Sequence, residues 1–592
     1  MKKRRIACLA LALAMSVSSV FAFGCGGGGG NAWGEDLDES KVQVYVGPHN
    51  GGWGQDFVGV WAAKYEDLHK DTVYNTPSGE KTGVQILYSV GSGYGGSLQS
   101  TSTSPHDIIL AEVVDYKALV PKGDLVDVTS WVTKPNPYDT AGRSIESRMT
   151  AEMREYFKEV TYDRASPLRG TAYYAVPSYF ASYNMYYDRD LFEDNGLFLQ
   201  EVEGVLSVVR KQGYKQAVAD GVLTLGPDNK TGVVDDIDYS ADDGLPRTTE
   251  EFVMLFDEMI TRGITPISVS GDMRFYYWQF MMNLWTQFSG FDNMMSNFDY
   301  DGEEYLVKDI ASDGTPIYDS TPTKITSRNG YELQRQDGKY FALDFTEKIM
   351  SQNNNYVSTA VYKDVTKYLQ SQELFLGSKP ESIINPIAIH IDGSWWYQEA
   401  KAYMNYLGEE YDESYGLKQR RIGILPNPLR EIGQEQALYA CNMPSILVNA
   451  RNIEDWRLPV VKDFFQFMLA DEQLSSYSLC VNATMTYDYP LTAADKAEAT
   501  LVLKDAIRQQ RTYKIVTPQT PTTMVAIGAV PSGGANELSW TSVVDRKSYT
   551  DPLYDVGKGK LSAKDYFMGL RKGNLVYSAD AWKDNFGTGF FN

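Results

Sequence analysis

The sequence has few of the residues on which several classes of protein depend. Only 4 cysteines occur in 592 residues, which excludes a disulfide-stapled scaffold. None of the 4 histidines lies within metal-ligand spacing of another histidine or of a cysteine, and we expect no metal site and no cofactor. Basic residues are also outnumbered, because 55 Lys and Arg face 77 Asp and Glu and leave a formal charge of −22. A chain this acidic lacks the positive surface that neutralises phosphates, so we expect no nucleic-acid partner.

Signatures of the common hydrolases and nucleotide-binding proteins are missing as well. The chain contains no His-Glu-x-x-His, no Gly-x-Ser-x-Gly and no phosphate-binding loop ending in Gly-Lys-Ser/Thr. Paired carboxylates for glycoside hydrolysis need only proximity in space, so the sequence does not exclude them. Aromatic residues, in contrast, reach 13% of the chain, enough to fill cores and also to line a binding surface with flat rings.

Long apolar runs are confined to the N-terminus. Lys-Lys-Arg-Arg at residues 2–5 precedes an apolar run from Ile6 to Phe23, the pattern of a secretory signal peptide. We therefore expect residues 1–24 to be removed and no later segment to span a bilayer.

The residues around Cys25 indicate how the mature protein is held. Ala22-Phe-Gly-Cys25 resembles a bacterial lipobox, in which the cysteine is lipidated, although cleavage after Ala22 to give a freely secreted protein is the alternative. The glycine-rich stretch 25–40 is typical of a flexible tether. We expect a lipid-anchored protein at the extracellular face of a bacterial cell membrane.

Apolar periodicity predicts an α/β fold. Lys41 to Val46 alternates like a strand, Phe57 to Leu68 carries a helical stripe, and Asp107 to Ala111 reads as a short buried parallel strand. A capping box at Thr248-x-x-Glu251 opens a second clear helix. The chain is too long for one hydrophobic core, so we expect at least two lobes, and residues 290–380 read as an insertion.

One motif carries both a carboxylate and indole rings. Asp392-Gly-Ser-Trp-Trp396 follows an apolar strand pattern, so that Asp392, Trp395 and Trp396 are expected at the end of that strand. A carboxylate accepts hydrogen bonds from hydroxyl groups, and an indole face covers the apolar side of a sugar ring. The alternative interpretation is a hydrophobic plug.

Three further segments supply candidate ligand contacts. The glycine-rich loop at 47–54 lies between a strand and a helix and presents Trp53, unless that ring packs on its own domain. The tyrosine-dense segment 173–192 suits an extended, partly exposed crossing strand or a core strand. Arg274 to Gln279 places Tyr277 or Trp278 toward a cleft, or else into the core of a helix.

Two other features allow more than one interpretation. The acidic loop 228–243 is oxygen-rich enough for calcium but lacks EF-hand spacing, so a solvated loop is favoured. Cys441 and Cys480 form a disulfide or remain two separate buried thiols.

Taken in order, these segments resemble the extracellular solute-binding proteins of bacterial ABC importers, specifically the carbohydrate-binding branch that includes maltose-binding protein. The resemblance covers most of residues 40–480 and rests on four pieces of sequence. These pieces are Val42–Val46 with Gly51-Gly-Trp-Gly54; Asp107-Ile-Ile-Leu-Ala-Glu112 with Gly123-Asp-Leu-Val-Asp-Val128; Tyr174-Ala-Val-Pro177 through Tyr187-Asp-Arg-Asp-Leu-Phe192 to Leu245-Pro-Arg-Thr-Thr-Glu-Glu-Phe252; and Ile391-Asp-Gly-Ser-Trp-Trp396 with Pro426-Asn-Pro428 and Lys462–Phe467. It implies a type II periplasmic-binding-protein-like fold, with two α/β lobes joined by hinge strands.

The resemblance also implies a division of the chain. Lobe 1 comprises 41–178 plus about 449–490, lobe 2 comprises 184–442, and 491–592 is a C-terminal extension that packs on the lobes. The hinge crossovers are expected at Val176–Tyr186 and Met443–Ala450.

Ligand contacts follow from the same resemblance. It points to Asn50 and Trp53 after the first strand, to Glu112 and to Trp395, and the family's acidic crossover residue aligns with Ala181, which favours Tyr179 and Ser182 instead. The full set of candidate ligand-binding residues is Asn50, Trp53, Glu112, Tyr179, Ser182, Tyr277, Asp392, Trp395 and Trp396.

The favoured function is therefore capture of an oligosaccharide by hinge closure and its delivery to the membrane subunits of an ABC permease, by a monomer that performs no catalysis. A binding protein for a peptide or an anionic sugar is the first alternative, with basic residues such as Arg274 lining the cleft locally. A secreted carbohydrate-active enzyme is the second alternative.

Overall fold

The computed structural model describes residues 37–47, 52–88, 101, 104–111, 116, 119–160, 171–326, 328–363, 366–378, 385–441, 444–518, 540–572 and 580. The expected signal peptide 1–24, Cys25 and most of the tether 25–40 lie outside this part of the chain. Within it, helices cover two separate β-sheets.

The strands of the two main sheets are β1 Val42–Val46, β2 Val84–Tyr88, β3 Ile108–Ala111, β4 Ala175–Pro177, β5 Tyr183–Asp188, β6 Thr265–Val269, β7 Ile387–Gly393, β8 Ile422–Leu425 and β9 Ser445–Val448. Shorter strands pair as Val73–Thr76 with Gly79–Thr82, Lys158–Val160 with Thr171–Tyr173, Leu199–Val202 with Val205–Val208, Val233–Val234 with Ile237–Asp238, Gly302–Glu304 with Thr323–Ile325, Val307–Ile310 with Pro316–Tyr318, Ala437–Tyr439 with Lys514–Val516 and Ser542–Val544 with Lys547–Tyr549.

The helices are α1 Asp56–His69, α2 Thr129–Thr133, α3 Ala151–Phe157, α4 Arg189–Asn195, α5 Tyr214–Asp220, α6 Thr249–Thr261, α7 Phe275–Ser289, α8 Phe291–Asp299, α9 Asp337–Met350, α10 Tyr368–Leu376, α11 Trp396–Glu399, α12 Lys401–Glu410, α13 Leu458–Met468, α14 Asp471–Val481, α15 Ala493–Glu498, α16 Leu501–Thr512, α17 Pro552–Gly557 and α18 Ala563–Leu570.

The first sheet has the strand order β2-β1-β3-β9-β4 and belongs to lobe 1. β1 runs parallel to β2 and β3, whereas β9 runs antiparallel to both of its neighbours. Every residue of β3 is buried, as predicted, because the strand has neighbours on both edges and cover on both faces. In α1, Phe57, Trp61 and Tyr65 are buried as the helical stripe predicts, but Leu68 is 57% exposed, so the buried face ends a turn earlier than expected.

The second sheet has the strand order β6-β7-β5-β8 and belongs to lobe 2. β7 runs parallel to β6 and antiparallel to β5, and the helices α6, α7 and α10 pack against these strands. α6 begins as predicted, since the Thr248 hydroxyl accepts a hydrogen bond from the Glu251 amide and the Glu251 carboxylate accepts one from the Arg247 amide. Two α/β lobes confirm the predicted fold class.

The chain passes between the two sheets at two adjacent places. One passage lies at 178–182, between β4 and β5, and the other lies just before β9. The amide of Ser178 donates to the carbonyl of Pro444 at 2.9 Å, and the amide of Cys441 donates to the carbonyl of Ala181 at 2.9 Å. The two passages are therefore hydrogen-bonded to each other and form a single hinge region.

A buried side chain of α7 fastens both passages to lobe 2. Asn283 is completely buried, its amide nitrogen donates to the Tyr183 carbonyl at 2.6 Å, and its amide oxygen accepts from the Tyr439 amide at 2.6 Å. These bonds satisfy two backbone groups that would otherwise be buried without partners.

The chain returns to lobe 2 a third time after α14. The segment that follows α14 leads to α16, where the Asp505 carboxylate accepts a hydrogen bond from the amide of Ile424 in β8 at 2.8 Å. Gln510 on the same helix donates to the carbonyl of Met485 at 2.7 Å, beside the hinge. Further on, α17 and α18 pack against α9. The helices α16, α17 and α18 of the C-terminal extension therefore lie on lobe 2, and α16 also touches the back of the hinge.

The acidic loop 228–243 is closed by a cation from this extension. Arg508 of α16 places a guanidinium nitrogen 3.4 Å from Asp242, 3.9 Å from Asp228 and, through its other terminal nitrogen, 3.5 Å from Asp505. Burial raises the pKa of Asp242 to about 7 and that of Asp243 to about 6. Arg508 thus occupies the position that a bound cation would take in this loop.

Three further findings concern regions that the sequence left open. Residues 290–380 contain α8, α9, α10 and two antiparallel strand pairs, one nested inside the other, and α9 packs along α7. In the described part of the chain, Cys441 and Cys480 form no disulfide bond. No helix among the described residues is long and apolar enough to cross a membrane.

Candidate functional site

Aromatic rings from both lobes and from the hinge meet in one cluster. Trp53 of lobe 1 lies with its ring centroid 4.9 Å from Tyr179 of the hinge and 6.4 Å, edge to face, from Trp395 of lobe 2. Trp395 also contacts Tyr183 at 5.1 Å and Tyr276 at 6.0 Å, both in edge-to-face geometry. We refer to these five residues as the aromatic cluster.

The local sequence explains how Trp395 reaches this cluster. The chain turns sharply after β7, and the indole folds back over Gly393, where a Cβ would lie 2.6 Å from Cε2 of the ring. Only glycine fits beneath the ring, which gives the Asp-Gly-Ser-Trp-Trp motif a physical reason for its second residue. Trp396 begins α11 on the opposite side and is fully buried against Phe375 and His390 in a core of lobe 2.

Strand alternation decides which hinge residues face the aromatic cluster. Tyr183 points toward Trp395, whereas Ser182, just before β5, and Asn184 within it line a small cavity of about 20 Å³, room for a single water. The Ser182 hydroxyl there accepts a hydrogen bond from the Asn184 amide nitrogen at 2.8 Å. Of the two predicted hinge contacts, Tyr179 therefore lies in the cluster and Ser182 does not.

The helix α7 presents a different tyrosine from the predicted one. Tyr277 is completely buried, and its hydroxyl donates to the Thr346 hydroxyl of α9 at 3.1 Å, so its placement at a cleft is corrected to a core position. Its neighbour Tyr276 belongs to the aromatic cluster instead, since successive helical residues point about 100° apart. Arg274, considered for an anionic ligand, forms an ion pair with Asp551 and lies 4.9 Å from the Tyr554 ring centroid.

Below Trp395, two acidic side chains share one amide donor. Gln372 of α10 donates through its amide nitrogen to Asp392 at 3.0 Å and to Glu399 at 2.9 Å. Asp392 also lies 3.0 Å from Nε2 of His390 and accepts a hydrogen bond from the Gly393 amide at 2.7 Å. We refer to Asp392 and Glu399 as the carboxylate pair and to Gln372 as its bridging amide.

The electrostatics of this site are those of a buried anionic pair. Burial, with a smaller contribution from nearby Asp392, raises the pKa of Glu399 to about 7. Both Asp392 and Glu399 also help to raise the pKa values of Tyr276 and Tyr368, after the larger effect of burial. The carboxylate pair therefore makes the hydroxyl groups of Tyr276 and Tyr368 harder to ionise.

The carboxylate pair is also where lobe 2 touches lobe 1. Gly52 approaches Glu399 so closely that a Cβ would lie 2.6 Å from Oε1 of the carboxylate. Beside it, Lys401 of α12 forms an ion pair of 3.0 Å with Asp56 at the start of α1. Gly52 and Asp56 of lobe 1 therefore lie against α11 and α12 of lobe 2.

Two predicted contacts, Asn50 and Glu112, lie outside the described residues. The residues that sequence reasoning missed are Tyr183, Tyr276, Tyr368, Gln372 and Glu399. Part of the signal was present, because Tyr183 and Glu399 each follow a predicted contact by four positions. Among the described residues, no group of three or more His, Cys, Asp or Glu side chains is arranged to hold a metal ion.

The similarity of this chain to known proteins is one of structure. No protein-family model and no curated protein matches the sequence. The chain is similar to the solute-binding protein RafE, solved in complex with raffinose, at 12% identity and a TM-score of 0.47, covering 90% of this chain and 98% of RafE. A probable secreted solute-binding lipoprotein from Streptomyces coelicolor matches at 12% identity and a TM-score of 0.47, covering 93% of this chain and all of the other.

A chitin oligosaccharide binding protein matches at 13% identity and a TM-score of 0.47, covering 90% of this chain and 98% of that protein. Similarity at this level does not assign a ligand to the present chain.

Proposed function

We propose that the protein is an extracellular solute-binding protein that captures an oligosaccharide between its two lobes for an ABC importer. The observation that carries this proposal is the aromatic cluster, in which Trp53 of lobe 1 and Trp395 of lobe 2 lie 6.4 Å apart across the hinge residue Tyr179. Rings contributed by both lobes let a ligand bind each lobe at once. No catalytic step is assigned to the site.

The chemistry of the cluster suits a saccharide. Flat rings cover the apolar C–H faces of sugar rings, and tyrosine hydroxyls together with Glu399 supply hydrogen-bond partners for sugar hydroxyls. A pocket that is mostly apolar with a few polar anchors is the usual form of a small-molecule site.

Hinge closure supplies the mechanism. The rings now contact one another, so a ligand must enter while the lobes are apart and replace the ring-to-ring contacts with its own. A ligand that touches both lobes only when they are closed shifts the population toward the closed state by its differential affinity. The short hydrogen-bonded passages at 178–182 and before β9 are where the chain bends.

The site is tested by calorimetric titration of the mature protein with neutral oligosaccharides; raffinose and chitin oligosaccharides are suitable first probes. We expect Trp395→Ala and Trp53→Ala each to weaken binding by about tenfold or more, since a desolvated aromatic contact contributes roughly 1–3 kcal/mol. Trp456→Phe is the matched control, because that indole donates to Glu454 on an exposed part of lobe 1. Unchanged affinity in both cluster variants would reject the site.

The cellular part of the proposal rests on the sequence. We propose lipidation of Cys25, tethering through residues 25–40 and delivery by a monomer to the membrane subunits of a permease. Incorporation of a labelled fatty acid into the wild type, and release of the Cys25→Ser variant into the medium, are the expected results. Equal membrane retention of both proteins would contradict the anchor.

A further inference from the structure

The carboxylate pair is rich in hydrogen-bond acceptors and poor in donors. Asp392 and Glu399 share a single amide nitrogen, that of Gln372. The amide oxygen of Gln372 is a further buried acceptor that has no hydrogen-bond partner in the described structure, although the side chain is only 1% exposed. Buried polar groups are normally satisfied, so a partner that brings donors is expected here.

No basic side chain compensates Glu399. Nε2 of His390 lies 3.0 Å from Asp392, so that imidazole serves the other carboxylate. Within the described part of the chain, no Lys, Arg or His lies within ion-pair distance of Glu399. The basic residues on the neighbouring elements are paired elsewhere: Lys401 with Asp56, Lys367 with Asp272 and Arg274 with Asp551.

The groups that face Glu399 come from every element packed around it. They are Asp392 and His390 of β7, Tyr276 of α7, Tyr368 and Gln372 of α10, the Gly52 backbone of lobe 1, and the Lys401–Asp56 ion pair beside it. All of these except the outer ion pair and His390 are neutral or anionic. Two like charges in a low-dielectric site repel each other, and a cation supplied by the ligand would relieve this repulsion.

We propose that Glu399 is a specificity-determining residue that selects an amine-bearing saccharide over neutral and anionic ones. This inference rests on the proposed function and deepens it. The ligand's ammonium group would lie against Glu399, donate to its carboxylate and to the amide oxygen of Gln372, and be covered by Gly52 when the lobes close. A uronate at the same place would bring a third carboxyl group beside Asp392 and Glu399 without a compensating cation and is disfavoured.

The proposal has a signature that packing alone does not produce. Burial raises the pKa of Glu399 to about 7 in the unliganded closed state, so below that pH the carboxyl group is largely protonated. An ammonium group brought against it lowers this pKa again, and the carboxyl proton leaves for the buffer while the ligand keeps its own proton. Binding of an amine-bearing saccharide therefore releases protons, and binding of a neutral saccharide of the same length does not.

The test uses a matched pair of ligands, a glucosamine oligosaccharide and the same oligosaccharide fully N-acetylated, which differ in charge at the nitrogen. Calorimetry at about pH 6, where ordinary amines are cationic, is carried out in two buffers of different ionisation enthalpy. We expect the mature protein to bind the amine form at least about tenfold more tightly and to release protons only with that form. An oligogalacturonate is expected to bind most weakly.

Variants separate a charge effect from a loss of structure. Glu399→Gln keeps the hydrogen bond to Gln372 possible, and we expect it to abolish both the preference for the amine form and the proton release, because the charge that selects the ammonium group is removed. Glu409→Gln removes the same charge from an exposed position on α12 and is expected to change neither. The folded state of each variant is checked by thermal unfolding.

The outcomes distinguish this inference from the function on which it rests. Equal or tighter binding of the N-acetylated form by the wild type, or a preference that survives in Glu399→Gln, overturns the inference and leaves oligosaccharide capture in place. Absence of binding with all three probes and with other oligosaccharides overturns both.

Discussion

The acidic loop 228–243 and the carboxylate pair differ in their counter-charge. An arginine of the chain lies among the carboxylates of the loop, whereas Glu399 has no basic partner among the described residues. In the loop 228–243, Arg508 reaches Asp228 and Asp242 from the C-terminal extension and closes the cluster from within. At the carboxylate pair, Glu399 has only the amide of Gln372. The loop cluster supplies its own counter-charge and Glu399 does not, a difference that a count of acidic residues in the sequence fails to show.

The largest expected effect comes from removing the internal cation. Arg508→Met leaves Asp242 and Asp505 buried without their positive partner, and breaking a buried ion pair in this way typically costs about 3–5 kcal/mol. We expect a loss of that order in the free energy of unfolding, measured by denaturant titration. Retention of wild-type stability would show that the two clusters do not differ as described.

An intermediate effect is expected where lobe 1 covers Glu399. Gly52→Ala places a methyl group within 2.6 Å of the Glu399 carboxylate and so opposes closure. We expect affinity for any bound oligosaccharide to fall by roughly tenfold, about 1.4 kcal/mol, with the unfolding free energy of lobe 2 unchanged. The control is the exposed substitution Ser78→Ala. The neighbouring Gly79 has open space around it but is unsuitable, because a side chain at its φ of +119° is strained.

A further, pH-dependent effect is expected at Glu399 of the carboxylate pair. Because the pKa of Glu399 is raised to about 7, the native state holds this proton more tightly than the unfolded chain does, and its contribution to stability is lost as pH rises from about 4.5 to 7. Glu399→Gln should therefore gain stability relative to the wild type progressively across this window. A constant difference between the two unfolding curves from pH 5 to 8 would contradict the raised pKa.

The smallest effect is expected at an exposed ion pair. Lys418 lies 4.0 Å from Glu498, with 84% of its side chain exposed. Lys418→Ala should change the unfolding free energy by less than about 0.5 kcal/mol, because solvent screens such pairs. This variant calibrates the effect of Arg508→Met on the same denaturation measurements.

Sequence reasoning identified the architecture better than the site. Periodicity predicted β3 and α6 because burial of a strand or helix face leaves a regular trace in the sequence. Trp53 and Trp395 came instead from motifs and from the family resemblance, and their ring centroids lie 6.4 Å apart. Neither kind of reasoning decided which face of a strand or helix each neighbouring residue occupies, so the predicted set contains Ser182 and Tyr277 and lacks Tyr183 and Tyr276.

Contacts between distant segments were beyond the reach of spacing arguments. Gln372 and Glu399 meet Asp392 only after α10 and α11 pack beside β7, and Arg508 reaches its loop across more than 260 positions of chain. Such encounters depend on tertiary packing, and a single sequence carries no local trace of them.

The third passage of the chain between the lobes, which follows α14, gives the hinge region a separate point of attachment. Two neighbouring connections alone would permit both twisting and bending, but the bond from Gln510 to the Met485 carbonyl fastens the rear of the hinge at a separate point. Asn283 holds the other two passages against lobe 2. The connection between the lobes is therefore anchored by hydrogen bonds at two separate places, one on each side of the passages.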